Sequence, residues 1–277
     1  LPCCDNNYDF SCKDLYNAHK IERYEVNNKF PAIPVGRIAV YIGSHRDFTE
    51  LETKYLDDFC SCYNAVVFCD HTSGYSGKYA FHAGLLSVQG KRYEIMDNIS
   101  CLIHIGEQMA DWPTMEKLKS AKTTWRVSPD GELRDTFGNL SKVFKMTMIN
   151  FLKRYINDKT KEDSYLRECL AVKESLIIPI DKLPLSNVYA AARISQELPP
   201  DSLFHIGASN TVRAWSMFDL PEGVKSYGNV GCRGIDGVLS SAIGAAIADK
   251  KHMHFCAIGD LMFYYDMNSL GNRDIIG

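Results

Sequence analysis

An aspartate near the end of the chain stands where a ligand-contacting carboxylate is expected. Asp260 follows residues 254–258, a short apolar run that ends at Gly259. Such a run is typical of a strand in a parallel sheet. Open α/β sheets bind ligands at the carboxyl ends of their strands. Taken alone, an aspartate at this point is more often a helix cap, so its neighbours in the sequence must decide its role.

A glycine-rich loop and a helix of small residues come before that strand. The loop glycines are Gly228, Gly231, Gly234 and Gly237. Residues 235–249 predict a helix whose serines, alanines and Gly244 let it pack close to a sheet. Loop, helix, strand and Asp260 therefore form one predicted unit, with the loop and the aspartate at the same edge of a sheet.

The rest of the chain alternates between predicted strands and predicted helices. The strands are 37–42, 65–69, 100–105, 123–127, 142–145, 202–206 and 225–227. The helices are 13–24, 48–63, 79–86, 113–120, 148–156, 165–175, 186–198 and 209–218. This alternation predicts an α/β fold with two Rossmann-like three-layer domains, each around a parallel sheet. The charged stretch 156–167 is the predicted connection, which gives domains 1–157 and 158–277.

Composition excludes several classes of function. The 277 residues carry a net charge of −3, which argues against a nucleic-acid partner. No apolar run approaches the roughly 20 residues that span a bilayer, so integral membrane association is not expected. The ten cysteines form no paired Cys-x-x-Cys motifs, which favours reduced structural thiols and a cytoplasmic location over a zinc site.

The pattern NxGxxGIDGxxSxAxG…IGDLxFxxDMN across residues 229–268 resembles a known family. It is similar to the pyrophosphate-binding domain of thiamine-diphosphate enzymes. Among these it looks most like the 2-succinyl-5-enolpyruvyl-6-hydroxy-3-cyclohexene-1-carboxylate synthase family of menaquinone biosynthesis. The matching positions are Asn229, Gly231, Gly234, Ile235, Asp236, Gly237, Ser240, Ala242, Gly244, Gly259, Asp260, Asp266 and Asn268. In this family the first half of the chain corresponds to the middle domain.

The resemblance implies thiamine diphosphate and Mg²⁺ as cofactors. A helix N-terminus after a glycine-rich loop suits a pyrophosphate, because it offers backbone N–H groups. Asp260 is the implied Mg²⁺ ligand, since this ion prefers one or two carboxylates with phosphate and water oxygens. The implied cofactor-binding residues are Gly231, Gly234, Ile235, Asp236, Gly237, Gly259, Asp260 and Leu261.

The implied reaction decarboxylates 2-oxoglutarate and adds the resulting acyl unit to isochorismate. Ser209 and Arg213 match the family's serine and arginine and are candidate substrate ligands, although Arg213 could equally be a salt-bridge residue. The family's arginine in Asn-Arg-Gly is Val230 here, and its Lys-Arg pair is absent from residues 106–113. Arg233 is a further candidate ligand for the substrate, or a residue that holds the loop.

Two parts of the family pattern are expected outside these residues. They are a second metal ligand, an asparagine, and the pyrimidine-binding domain with its activating glutamate. We therefore expect a piece of a longer chain, inactive by itself, whose intact form is a homodimer or homotetramer. The alternatives are a related enzyme acting on another 2-oxo acid, or a non-catalytic nucleotide-binding or assembly subunit. His71, His82 and His104 are candidate acid–base groups, but packed structural histidines are favoured.

Overall fold

The computed structural model describes residues 20–89, 94–107, 110–157, 162–176, 178–231 and 234–273. Within this part the chain forms one seven-stranded and one three-stranded sheet, and all strand pairs in both are parallel. Helices alternate with the strands along the chain. The predicted α/β class with two parallel sheets is confirmed.

The first sheet has its most buried strands at its centre. Its strands are β1 (Glu22–Glu25), β2 (Arg37–Ile42), β3 (Val66–Phe68), β4 (Ala80–Phe81), β5 (Ile99–Ile105), β6 (Thr124–Ser128) and β7 (Leu140–Lys145). The spatial order is β1-β7-β6-β5-β2-β3-β4. Strand β2 thus has β3 on one side and β5 on the other. Nearly every side chain of β2, β3 and β5 is buried, because helices cover the sheet.

Five α-helices accompany the first sheet within the described residues, and two of the five begin at a threonine cap. They are α1 (Glu50–Tyr63), α2 (Gly84–Val88), α3 (Trp112–Leu118), α4 (Met148–Tyr155) and α5 (Ser164–Glu174). Thr49 and Glu52 form a capping box at the start of α1. Helix α5 buries Tyr165, Leu166 and Cys169 in the core of the first sheet. The boundary between domains 1–157 and 158–277 stays a prediction.

The second sheet is smaller and carries the predicted ligand unit. Its strands are β8 (Leu203–Ile206), β9 (Lys225–Gly228) and β10 (His254–Ala257), in the order β10-β8-β9. Its helices are α6 (Asn187–Ile194), α7 (Asn210–Trp215), α8 (Val238–Ala248) and α9 (Asp260–Asp266). The side chain of Ser186 accepts a hydrogen bond from Tyr189 N at 3.2 Å and caps α6, as its sequence position predicts.

Three predicted helices differ from the observed elements. Of the predicted helix 13–24, residues 13–19 lie outside the described part of the chain. Residues 22–24 lie in strand β1 instead, where Tyr24 stacks on Phe144 of β7. Residues 80–81 form β4, and α2 begins only at Gly84. Helix α8 begins at Val238 rather than at residue 235, because Gly237 before it has a φ of 81°. Sheet pairing and backbone geometry outweigh a weak helical spacing in these places.

The two sheets are joined by contacts between the loops after β3 and the end of α7. His71 Nε2 lies 3.1 Å from Trp215 O and 2.9 Å from Phe218 O. Gly84 packs so closely here that a Cβ added to it would lie 2.2 Å from Ser216 O. Among the described helices, none has both the length and the apolar character needed to cross a membrane.

Candidate functional site

The carboxyl ends of β8, β9 and β10 meet at one edge of the second sheet. In the register of the sheet, Ile206 at the end of β8 is paired with Gly228 of β9 and with Ala257 of β10. The chain continues from these ends into Ser209, into the glycine-rich loop and into Asp260 respectively. The parallel pairing therefore brings the predicted loop, the predicted carboxylate and the predicted substrate residue to the same edge.

The glycine-rich loop leads into α8 through an N-cap residue that has no side chain. Gly237 is the N-cap residue of α8 and has a φ of 81°, a left-handed conformation that favours glycine. Gly231 is exposed, and no atom of the described residues lies within 4 Å of the position that a Cβ would take there. Asp236 is exposed, while Ile235 is half-buried. The loop thus leaves room at the start of α8.

Asp266 caps α8 from the far end of α9. Its Oδ2 accepts a hydrogen bond from Ser240 N at 2.6 Å, in the first turn of α8. The first N–H groups of a helix lack partners within the helix, and a carboxylate there is favourable. Sequence reasoning assigned no role to Asp266 beyond its match to the family pattern. The glycine at the N-cap position of α8 could have indicated this role, because it has no side chain and the cap must come from another residue.

Asp260 is exposed at the start of α9. Its Oδ1 accepts a hydrogen bond from Leu261 N at 2.8 Å, but the N-cap residue of α9 is Gly259, so Asp260 is not the helix cap that its position favours when taken alone. At the preceding Gly259, no atom of the part of the chain that the structure describes lies within 4 Å of the position of a Cβ. No group of three or more His, Cys, Asp or Glu side chains suited to a metal occurs in the described residues. Asp260 thus fits Mg²⁺ only as one carboxylate in a shell completed by phosphate and water oxygens.

A small hydrophobic cluster connects the loops of this edge. Ala208 after β8, Val238 at the start of α8 and Met262 in α9 are buried together, with Ile235 and Ile258 packed against them. Because these residues flank Ser209, Gly237 and Asp260 in sequence, the cluster ties the three loops to one another. The predicted cofactor residues therefore share one packed support.

The predicted substrate residues line a pocket of about 200 Å³. Its lining residues are Ala110, Trp112, Ala208, Ser209, Val212, Arg213, Val230 and Ile235. Ser209 and Arg213 are thereby brought together with Ile235 of the loop. Arg213 Nη1 donates to Asn210 Oδ1 at 3.4 Å, and no ion pair of Arg213 occurs within the described part of the chain. Arg233 lies outside the described residues.

Ser209 has an unusual backbone conformation at this pocket. Its φ is 66° and its ψ is −127°, a region that residues with a side chain rarely adopt. It precedes α7 but makes no side-chain capping hydrogen bond there. Such strain costs about 1–3 kcal/mol and is found most often at functional sites. The prediction that Ser209 is a substrate ligand stays a prediction, and its backbone conformation is consistent with it.

The three candidate acid–base histidines are packed within the structure. His71 and His104 are buried, and burial lowers the pKa of each to about 4. His82 Nδ1 lies 3.2 Å from Asp219 Oδ1. Burial lowers the pKa of His82, but its contacts with Cys69 and Asp219 outweigh this effect and raise it to about 10. These arrangements support the favoured interpretation of structural histidines.

Fold and site together define an α/β protein whose second parallel sheet carries a glycine-rich loop and a strand-end carboxylate at the edge where its strands end. No protein-family model matches the chain. Curated relatives do match it, and each of those described here is named a 2-succinyl-5-enolpyruvyl-6-hydroxy-3-cyclohexene-1-carboxylate synthase. The one from Bacteroides fragilis is 39% identical over 156 residues, which are 55% of this chain and 27% of the relative.

The relative from Phocaeicola vulgatus is 31% identical over 199 residues, 70% of this chain and 35% of its own length. The relative from Bacteroides thetaiotaomicron is 33% identical over 156 residues, 56% of this chain and 27% of its own length. The matched part of this chain belongs to the family of these synthases, as its sequence pattern indicates. The matches cover about a third or less of the relatives' length.

Proposed function

We propose that this chain is part of a thiamine-diphosphate-dependent, decarboxylating transferase. The transferase forms a carbon–carbon bond between a 2-oxoglutarate-derived unit and isochorismate. The observation that carries the proposal is the meeting of the glycine-rich loop and Asp260 at one edge of the second sheet, in a chain of this synthase family. The seven-stranded sheet is then the middle domain, and the three-stranded sheet is part of the pyrophosphate-binding domain.

The residues at this edge fit the cofactor in two respects. The N–H groups at the start of α8 suit a pyrophosphate, and the open space beside Gly231 and Gly259 gives it room. The cap from Asp266 to Ser240 N leaves the two preceding N–H groups of α8 without a partner inside the helix. Asp260 would hold Mg²⁺ against the pyrophosphate. When bound, thiamine diphosphate supplies the electron sink for decarboxylation.

The pocket beside the loop is the proposed substrate site. Arg213 would pair with a substrate carboxylate, since its guanidinium offers a charged pair of donors. Ser209 would donate or accept a hydrogen bond. Arg233 stays a further candidate for the same task. In the intact protein we propose a homodimer or homotetramer in the cytoplasm, with no nucleic-acid partner.

One observation favours a second candidate within the same cofactor class. Val230 is buried and lines the pocket at the place where the family pattern has an arginine. A valine cannot replace the bidentate donors of an arginine. The second candidate is therefore a related enzyme that uses another 2-oxo acid or another acceptor.

The test uses Asp260→Ala in the intact protein. We expect the Mg²⁺-dependent binding of thiamine diphosphate in calorimetry to be lost, together with the consumption of 2-oxoglutarate and isochorismate. Asp181→Ala is the matched control, because this exposed carboxylate pairs with Arg193 away from the site and should leave both properties unchanged. Cofactor binding that survives Asp260→Ala would refute the metal role. Cofactor binding without isochorismate consumption would favour the second candidate.

A further inference from the structure

The pocket of about 200 Å³ beside the glycine-rich loop has two unlike sides. Ser209 and Arg213 form a polar side, which comes from the second sheet. Trp112 comes from the start of α3, which follows β5 of the first sheet, and the residue is 39% exposed. Val230 adds a buried aliphatic surface. A ligand in this pocket would contact a guanidinium together with a large aromatic surface.

Trp112 is held in place by the structure beneath it. It is the first residue of α3, and Asp111 before it is buried. Asp111 N donates to Asp70 Oδ2 at 2.9 Å, which ties this helix start to the loop after β3. Lys119 Nζ lies 5.3 Å from the centre of the Trp112 ring. These contacts present the indole as a preorganised surface, so little entropy is lost when a ligand packs against it.

The chemistry of the lining selects a ligand class. A flat aromatic surface favours a planar or cyclic group, because stacked and edge-to-face contacts with rings are favourable. A single guanidinium favours one carboxylate on that ligand. The family pattern has cationic residues at the position of Val230 and within residues 106–113, where this chain has none, so recognition by this pocket would depend more on ring packing.

We propose that Trp112 is a specificity-determining residue of this pocket, which takes a cyclic carboxylate with its ring against the indole and its carboxylate on Arg213. This inference rests on the proposed function, because it treats the pocket as the acceptor site. It adds a residue from the first sheet to that site. It also assigns the choice between cyclic and acyclic acceptors to ring packing.

Ligand binding to the 277-residue chain can be measured without cofactor or turnover. The probes are benzoate, benzamide as the uncharged analogue and butyrate as the acyclic carboxylate. Trp125 and Trp215 are only 1% and 7% exposed, so saturable quenching by benzoate should come from Trp112 and vanish in Trp112→Phe. Calorimetry should show benzamide binding at least about 10-fold more weakly than benzoate. Butyrate should bind several-fold more weakly than benzoate.

Variants separate the two parts of the pocket. Trp112→Ala should weaken benzoate binding by about 10-fold and leave butyrate binding almost unchanged, while Trp112→Phe keeps benzoate within about 3-fold. Arg213→Ala should abolish the preference for benzoate over benzamide. Leu185→Ala, a change of an 89% exposed side chain outside the pocket lining, is the control and should alter nothing.

The proposal is overturned if Trp112→Ala binds benzoate as tightly as the unchanged chain, or if benzoate and butyrate bind equally well. Quenching that persists in Trp112→Phe would equally contradict it, because the signal would then come from a buried indole. A failed Asp260→Ala test of cofactor binding would not alter these probe affinities. The two proposals can therefore fail separately.

Discussion

His71 should make the stability of this protein depend on pH in mildly acidic solution. Its side chain is 8% exposed, and Nε2 donates to Trp215 O at 3.1 Å and to Phe218 O at 2.9 Å. These hydrogen bonds join the loop after β3 to the end of α7. Burial is the main cause that lowers the pKa of His71 to about 4, and the neighbouring His82 adds to it, so the folded protein keeps the ring neutral at pH 7.

The magnitude follows from the difference between this pKa and the ordinary histidine value. An unfolded chain has a histidine pKa of about 6.5, and each unit corresponds to about 1.4 kcal/mol. The lowered pKa of His71 is thus worth about 3 kcal/mol of unfolding free energy. As the pH falls, the unfolded chain binds this proton first. The contribution is complete above about pH 6.5, declines down to about pH 4 and is absent below that value.

Other buried groups near His71 titrate differently. Burial raises the pKa of Asp111 to about 6, so its effect on stability has the opposite sign, and stability gains as the pH falls through that value. The pKa of His82 is raised to about 10. Its contribution is complete below about pH 6.5 and is lost only as the pH rises toward 10. The effect of His71 must therefore be read as a difference between the unchanged chain and a variant.

Urea denaturation of two variants across this pH range provides the assay. His71→Gln keeps an N–H donor but cannot titrate, so it should lack the loss of about 3 kcal/mol between pH 7 and pH 4 and change the stability at pH 7 by less than about 1 kcal/mol. His71→Ala leaves two carbonyls without their donor and should cost about 1–3 kcal/mol at pH 7. The reasoning is refuted if His71→Gln loses as much stability on acidification as the unchanged chain.

Two further changes test the geometry of the candidate site. Asp266→Ala removes the cap on Ser240 N and should lower the unfolding free energy by about 1 kcal/mol in chemical denaturation. Asp260→Ala, the control, should leave the unfolding free energy almost unchanged. Equal losses in the two variants would contradict the capping role of Asp266. Ser209→Gly relieves the positive φ of 66° and should raise the unfolding free energy by about 1 kcal/mol. It should also weaken benzoate binding, because Ser209 lines the pocket. A loss of stability would show that the backbone there is not strained.

Short-range patterns predicted the elements whose cause lies within a few residues. The buried strand β2 is continuous and apolar, and the structure has it at the predicted bounds. Ser186 caps α6 because a serine side chain reaches the third N–H of a helix from that position. The unit of loop, helix, strand and Asp260 could equally be predicted from the sequence, since its members follow one another directly along the chain.

Weak local patterns failed where a distant partner decided the structure. Residues 22–24 have some helical spacing but form the edge strand β1, because Tyr24 stacks on Phe144 and Glu22 pairs with Lys142 across the sheet. The start of α8 was placed too early for a related reason. Its true start depends on the backbone of Gly237 and on the cap from Asp266, and only the latter comes from elsewhere in the chain.

The sequence by itself determined the α/β class, the synthase family of the matched part and the residues expected at the edge of the second sheet. Only the tertiary structure decided which of these residues share a pocket, and it added Trp112, about a hundred residues before Ser209 and Arg213. It likewise revealed His71 as the link to the end of α7. The physical reason is that hydrophobic periodicity and caps act over a few residues, whereas contacts between segments that are distant along the chain set which side chains meet at a pocket.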